Sequence, residues 1–177
     1  NKFLGNIREV DAIVHVVRCF EDSNIVHVDG SVDPIRDIDT INLELIFSDI
    51  ELVEKLRDRA AKLAKGDKKH LVEVALFDKL KEALEQERFV STVELTDEEK
   101  EIMKGVSLLT DKPVIYAANV CEEDFKNGKL SNPYIEAVEE RASKENAEVL
   151  VICARMEEEL DKAVELSGRS SEYKDRI

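Results

Sequence analysis

Asn119 and Glu122 are the residues best placed by type and spacing to do chemistry. They stand three apart in KPVIYAANVCEED, the stretch from Lys112 to Asp124. The run Pro113 to Ala118 before them is apolar on both faces, as a buried strand of a helix-covered parallel sheet requires, and proline at a strand's first residue sacrifices little pairing. In such sheets ligands bind beyond the carboxyl ends of the strands. An amide and a carboxylate set in a turn at that place can read the hydrogen-bonding edge of a base.

Other constellations are missing. None of the six glycines falls in GxxxxGK[ST] or GxGxxG, so no loop for cradling phosphates is visible. The histidines and carboxylates do not fall at metal-ligand spacing, and no serine lies in GxSxG. Cys19, Cys121 and Cys153 show no CxxC spacing, which argues against a disulfide framework or a zinc site. His15 interrupts the run DAIVHVVRC, where a hydrogen-bonded histidine in or beside a sheet is a plainer reading than a ligand. His27, in SNIVHVDG, sits in a loop, where a solvated ring is the ordinary expectation. By its own residues the chain offers half a site: a turn able to read a base, without the means to hold phosphates.

Composition narrows the class. A chain of 177 residues can bury a sizeable core, so one domain, or one domain with an appendage, is expected. With 37% charged and 43% hydrophobic residues and no tryptophan, it reads as a helix-rich soluble protein. A formal charge of -14 opposes nonspecific nucleic-acid binding by the whole surface, though not by a local basic patch. No apolar run approaches the roughly 20 residues of a membrane-spanning helix, and NKFLGNIREVD lacks a signal peptide's apolar stretch. No membrane partner and a cytoplasmic location are therefore expected.

The elements that must position the turn follow from periodicity. Lys2 to Glu9 resembles the tail of a helix or a loop, and Asp11 to Cys19 is rich in β-branched residues, as a central strand would be. Phe20 to Asp39, with Gly30, Pro34 and several aspartates, reads as a long loop. From about Asp39, Ile46, Ile50, Val53, Leu56, Ala60 and Leu63 recur at helical spacing, and the helix ends near Gly66. A second helix from about Lys69 carries Val72, Leu76, Leu80 and Ala83 on one face. Two stripes joined by so short a turn predict an antiparallel helical hairpin or short coiled coil, reaching about 30 Å for about 20 residues per arm. Its tip is basic, with Lys62, Lys65, Lys68, Lys69 and His70, and is read either as a partner-binding surface or as lysines favoured by the helix dipole.

Arg88 to Leu95 should be extended, and Thr96 with Asp97, Glu98 and Glu99 should start a helix that buries Ile102, Val106 and Leu109 and ends at Asp111. After the strand and turn come a helix from about Pro133 to Lys144 and a strand from Glu148 to Cys153, a βαβ unit with a right-handed crossover. Arg155 to Ala163 should be helical, and SGRSSEYKDRI is expected to be mobile. The fold class predicted is α/β, a parallel sheet of at least three strands with helices on both faces and an inserted α-helical hairpin. Residues 1–45 form part of the body, 46–95 the insertion, and 96–177 the remainder and tail.

At this level the residues resemble a known family. NKFLGNIREVDAIVHVVRCFEDSNIVHVDGSVDPIRDIDTINLEL, then a hairpin, then KPVIYAANVCEED and NPYIEAVEE are similar to the YchF/Obg-like ATPases, translation-factor-class P-loop NTPases, from Asn1 to about Asp161. The resemblance implies a partial Ras-like nucleotide-binding domain carrying a coiled-coil insertion. It implies that Asn119, Val120, Cys121 and Glu122 form the N-x-x-E motif that replaces N-K-x-D, so that ATP is bound in preference to GTP. It places Cys153, Ala154 and Arg155 where related GTPases have a Ser-Ala-Lys-like support for the base, with Cys153 in place of serine, and places His27 in a loop near the nucleotide where it can assist hydrolysis.

The same resemblance puts the P-loop, the first switch and the DxAG magnesium motif upstream of Asn1, and a TGS domain after the chain. The expectation is a fragment of a ribosome-associated ATPase that binds ATP, GTP less well, and Mg2+ only when intact, and that cannot hydrolyse nucleotide alone. The basic tip, with Lys65, Lys68 and Lys69, is then expected to meet ribosome or RNA. The alternative is a non-enzymatic module whose hairpin docks a ribosomal or protein partner and whose α/β body is only a mount.

Overall fold

The computed structural model describes residues 10–21 and 31–155. The expected helix tail at Lys2 to Glu9, His27, and the expected helix and tail beyond Arg155 lie outside the described residues. The chain divides into two compact units, one holding Ile38–Val114 and the other Val14–Asp37 with the chain from Ile115 onward.

The second unit is built on a sheet of three strands in the order β1-β2-β3: β1 (Ile13–Arg18), β2 (Val114–Asn119) and β3 (Glu148–Ile152). β2 and β3 are parallel, with Ile115 opposite Glu148 and Asn119 opposite Ile152. β1 pairs with β2 in the same sense, since Ile13 N–H donates to Pro113 O at 2.9 Å and Cys19 N–H to Asn119 O at 2.8 Å. Among the described residues the central strand is thus β2, not β1 as its β-branched composition suggested. The burial pattern gives the reason: His15 and Val17 are buried, whereas Val14 and Val16 are 57% and 54% exposed. β1 is half-buried, and composition alone does not separate such a strand from one covered on both faces. The helix α5 (Pro133–Glu145) packs on β3 and buries Ile135, Val138 and Ala142. Helices on both faces of the sheet are not seen at the exposed valines of β1 among the described residues.

The long loop expected up to Asp39 gives way to helix at Pro34. Helix α1 (Pro34–Ala64) begins with proline in its first turn, where the missing N–H costs nothing, and Asp33 Oδ1 accepts from Arg36 N–H at 3.1 Å. Proline and aspartate, read as loop residues, here form a helix start.

In the first unit α1 is followed by a turn in which Leu63 O accepts from the N–H groups of Gly66 and Asp67, each at 3.0 Å. Asp67 Oδ1 then accepts from Lys69 N–H at 3.1 Å, setting a short 3-10 turn, Lys68–His70, ahead of α2 (Leu71–Glu85). Ion pairs join the two helices at Glu54–Lys81, 2.8 Å, and Arg57–Asp78, 3.0 Å. One index rises as the other falls, so the helices run antiparallel. Ile46, Val53 and Ala60 of α1 share a buried cluster with Leu76, Phe77, Leu80 and Leu84 of α2 and with Val90, Met103 and Leu108.

Two segments of this unit differ from expectation. Val90–Thr92 is a 3-10 turn within the stretch expected to be extended, and buried Val90 donates its N–H to Thr110 Oγ1 at 3.3 Å. The helix α3 (Asp97–Met103) starts at Thr96 as expected, where Thr96 and Glu99 form a reciprocal capping box, but stops well before Asp111. The chain leaves the helix through a tight turn in which Gly105 N–H donates to Ile102 O at 3.2 Å and Val106 N–H to Met103 O at 3.0 Å. Beyond it Asp49, a fully buried carboxylate on α1, accepts from Leu109 N–H at 3.0 Å and from Thr110 N–H and Oγ1 at 2.7 Å each. Backbone donors that a longer helix would have used are thereby paired with a side chain, and Leu109–Asp111 becomes a 3-10 turn leading into β2.

Candidate base-reading site

The ends of the three strands converge on Asn119, the last residue of β2. Val120 N–H donates to Ile152 O at 2.9 Å, so β2 and β3 stay paired to their tips. Just beyond β3, Ala154 N–H donates to Asn119 Oδ1 at 3.0 Å. A backbone N–H can only donate, so the amide orientation is settled: Oδ1 faces the backbone and Nδ2 remains the donor for a ligand. Val120 and Cys153 are 1% and 2% exposed, so both are buried beneath the corner.

Glu122 opens the short helix α4 (Glu122–Lys126). Its carboxylate is in contact with Lys126 Nζ one turn on. That contact, with the charge of Arg155 as a lesser contribution, holds the Glu122 carboxyl below the usual carboxylate range. At neutral pH the corner therefore presents one amide donor and one ionised acceptor, with Lys126 and Arg155 as cations beside the acceptor. Asn119 and Ala154 are joined by their hydrogen bond, and Arg155 lies close enough for its charge to act on Glu122. Lys65, Lys68 and Lys69 lie in the other unit, and His27 lies outside the described residues.

Asn132 was not singled out from the sequence. Its Nδ2 donates to Cys19 O at 2.9 Å while its Oδ1 accepts from Ile135 N–H at 2.9 Å, so one side chain caps α5 and ties that helix to the end of β1. The Asn132-Pro133 pair, a cap residue before a first-turn proline, was the available signal. An open cleft of about 500 Å³ lies beside these strand ends, lined by Cys19, Glu21, Cys121, Asp124 and Tyr134 among others. Tyr134 Oη donates to Glu21 Oε1 at 2.6 Å, and the carboxylate pushes the phenol's pKa up. Burial, with the charge of Asp37 adding to it, pushes the Cys19 thiol up to about 11, so it is not a thiolate nucleophile at neutral pH. Among the described residues no group of three or more His, Cys, Asp or Glu could hold a metal ion, and no helix is long and apolar enough to cross a membrane.

No family model matches the chain. It is 49% identical over 173 residues to the ribosome-binding ATPase YchF of Bacillus subtilis, a match that takes in 97% of this chain and 46% of that protein. To the Obg-like ATPase 1 of Saccharomyces cerevisiae it is 39% identical over 158 residues, 86% of this chain and 40% of the relative. The solved YchF GTPase of Schizosaccharomyces pombe superposes with a TM-score of 0.75 at 33% identity, covering 96% of this chain and 48% of that one. The chain spans a little under half the length of the curated relatives it matches. With a parallel α/β sheet and matches that take in 86% to 97% of its length, the chain belongs to the YchF/Obg-like ATPase family.

Proposed function

We propose that this chain supplies the base-recognition part of the nucleotide site of a ribosome-associated ATPase, with ATP the preferred nucleotide and GTP a weaker one. The carrying observation is the Asn119–Ala154 hydrogen bond, which leaves the Asn119 amide hydrogens as the outward donor. A purine offers its N7 acceptor to such a donor, and Ala154 and Arg155 with the buried Cys153 support the corner from β3. Glu122, drawn toward Lys126 and Arg155, gains less from the N1 and N2 hydrogens of guanine than a shorter aspartate placed for bidentate pairing would, so adenine is tolerated. The names of the relatives, ribosome-binding ATPase and Obg-like ATPase, support the same reading.

The corner offers a donor and an acceptor suited to a base, and among the described residues no group of three or more His, Cys, Asp or Glu could hold a metal ion. Mg2+ would neutralise phosphate charge during hydrolysis, and its ligands are assigned to no residue of this chain. His27 is proposed to assist hydrolysis from its loop. The α1–α2 pair is proposed to serve as the coiled-coil insertion, with Lys65, Lys68 and Lys69 at its tip meeting the ribosome. Nucleotide titration of the intact protein tests the base assignment: Asn119→Ala should abolish most ATP affinity, and unchanged binding would refute the corner.

A further inference from the structure

The tip of the α1–α2 pair carries more than charge. Leu63, Leu71 and Val72 are 46%, 54% and 36% exposed, and all three lie within ten residues around the turn. Leucines and valines left in water on a turn gain nothing from the protein's own core, and clustered exposed apolar side chains mark contact surfaces. Around them stand Lys62, Lys65 and Lys68, which have no ion-pair partner among the described residues, whereas Lys69 is held by Asp67 at 3.0 Å and His70 by Glu73 at 3.3 Å.

We infer that this tip docks an acidic protein surface with apolar side chains of its own, and not the phosphate backbone of an RNA. The inference rests on the partner-binding reading of the tip given above and names the class of partner. Three observations favour protein over RNA. Phosphates reward cations but offer nothing to Leu63, Leu71 and Val72, whereas a protein surface buries them. Recognition of unpaired bases relies on aromatic platforms, and between Phe47 and Phe77 the chain has no Phe, Tyr or Trp. The carboxylates of Asp67, in the turn, and Glu73, at the start of α2, stand at the same tip, where they would repel phosphates but can accept donors from a protein. Three unpaired lysines in a chain of net charge -14 set the sign of the partner's complement as acidic.

The test uses the intact protein with two probes, purified ribosomes and protein-stripped ribosomal RNA, over a range of salt. Leu63→Ser/Leu71→Ser should weaken ribosome binding by about tenfold or more while leaving the salt slope unchanged. Lys62→Gln/Lys65→Gln/Lys68→Gln should weaken it and flatten the slope. Stripped RNA should bind far less well than ribosomes. Far-ultraviolet circular dichroism checks that the exposed sites were changed without loss of helix. Full binding by the leucine variant with loss in the lysine variant, or equal binding to stripped RNA, overturns the inference and leaves the tip as a phosphate binder. If neither variant loses affinity, the tip is no docking site and the underlying reading fails with the inference.

Discussion

The backbone N–H of Ala154 holds the side-chain oxygen of Asn119 at 3.0 Å, joining the end of β2 to the residue just past β3. This single bond decides which way the amide faces. It implies a sharp distinction between two substitutions at one position. Asn119→Asp keeps the acceptor for Ala154 and removes the outward donor, so folding should be preserved while ATP affinity falls by about tenfold, roughly the 1–1.5 kcal/mol of a net hydrogen bond. Calorimetric titration of the intact protein reads the affinity and thermal melting reads the fold. Wild-type affinity in that variant would mean that the amide donates nothing to the nucleotide.

Glu122 should set the purine preference. Glu122→Asp shortens the side chain by one methylene and draws the carboxylate away from Lys126, freeing it for the N1 and N2 hydrogens of guanine. The ratio of GTP to ATP affinity should rise by several-fold, as one additional charge-assisted contact would give. Competition binding with both nucleotides measures it, and an unaltered ratio would count against Glu122 as a reader of the base.

How much of this was legible in the sequence depended on the range over which each residue's partner lies. β2, the Thr96 helix start and the apolar stripes of α1 and α2 were readable because their signals are local: a continuous apolar run, a cap before acidic residues and 3.6-residue recurrence. The turn at Leu109–Asp111 was not, because it is held by Asp49, some 60 residues away on α1, whose carboxylate takes the N–H groups of Leu109 and Thr110. The start of α1 was misread for a different reason, since Asp33-Pro34 fits either a loop or a helix start. At the site, Asn119 and Glu122 stood out by spacing, but the support from Ala154 is a backbone N–H, which leaves no mark in residue identity. The roles of Lys126 and Asn132 likewise appear only once α4 and α5 are in place.

Asp49 should therefore be worth more to stability than any surface carboxylate. It is fully buried and accepts from Leu109 N–H, Thr110 N–H and Thr110 Oγ1. Asp49→Ala leaves two backbone N–H groups without that acceptor and should cost about 3 kcal/mol or more. Urea denaturation should show the midpoint falling, with Asp49→Asn intermediate because the amide keeps one acceptor oxygen. A loss under about 1 kcal/mol in the alanine variant would show that water replaces the carboxylate without penalty.

His15 gives the chain a pH dependence on the acid side. The ring is buried, 8% exposed, and lies 5.7 Å from the ring of Tyr116. Burial lowers its pKa, and the opposing pull of Asp37 and Glu145 is smaller. Tyr116 Oη donates to Glu145 Oε2 at 2.5 Å, and Arg141 also engages that carboxylate at 2.6 Å, which limits what Glu145 can offer the imidazole. With the folded pKa below the unfolded value near 6.5, the unfolded state binds the proton first as pH falls. Stability from this residue is then complete above about pH 6.5 and drains away as pH drops toward the folded pKa. Melting temperatures of wild type and His15→Gln between pH 8 and 5 should converge toward the acid end as the wild type loses stability and the glutamine variant loses less. Parallel curves over the whole range would mean that the imidazole is protonated equally in both states.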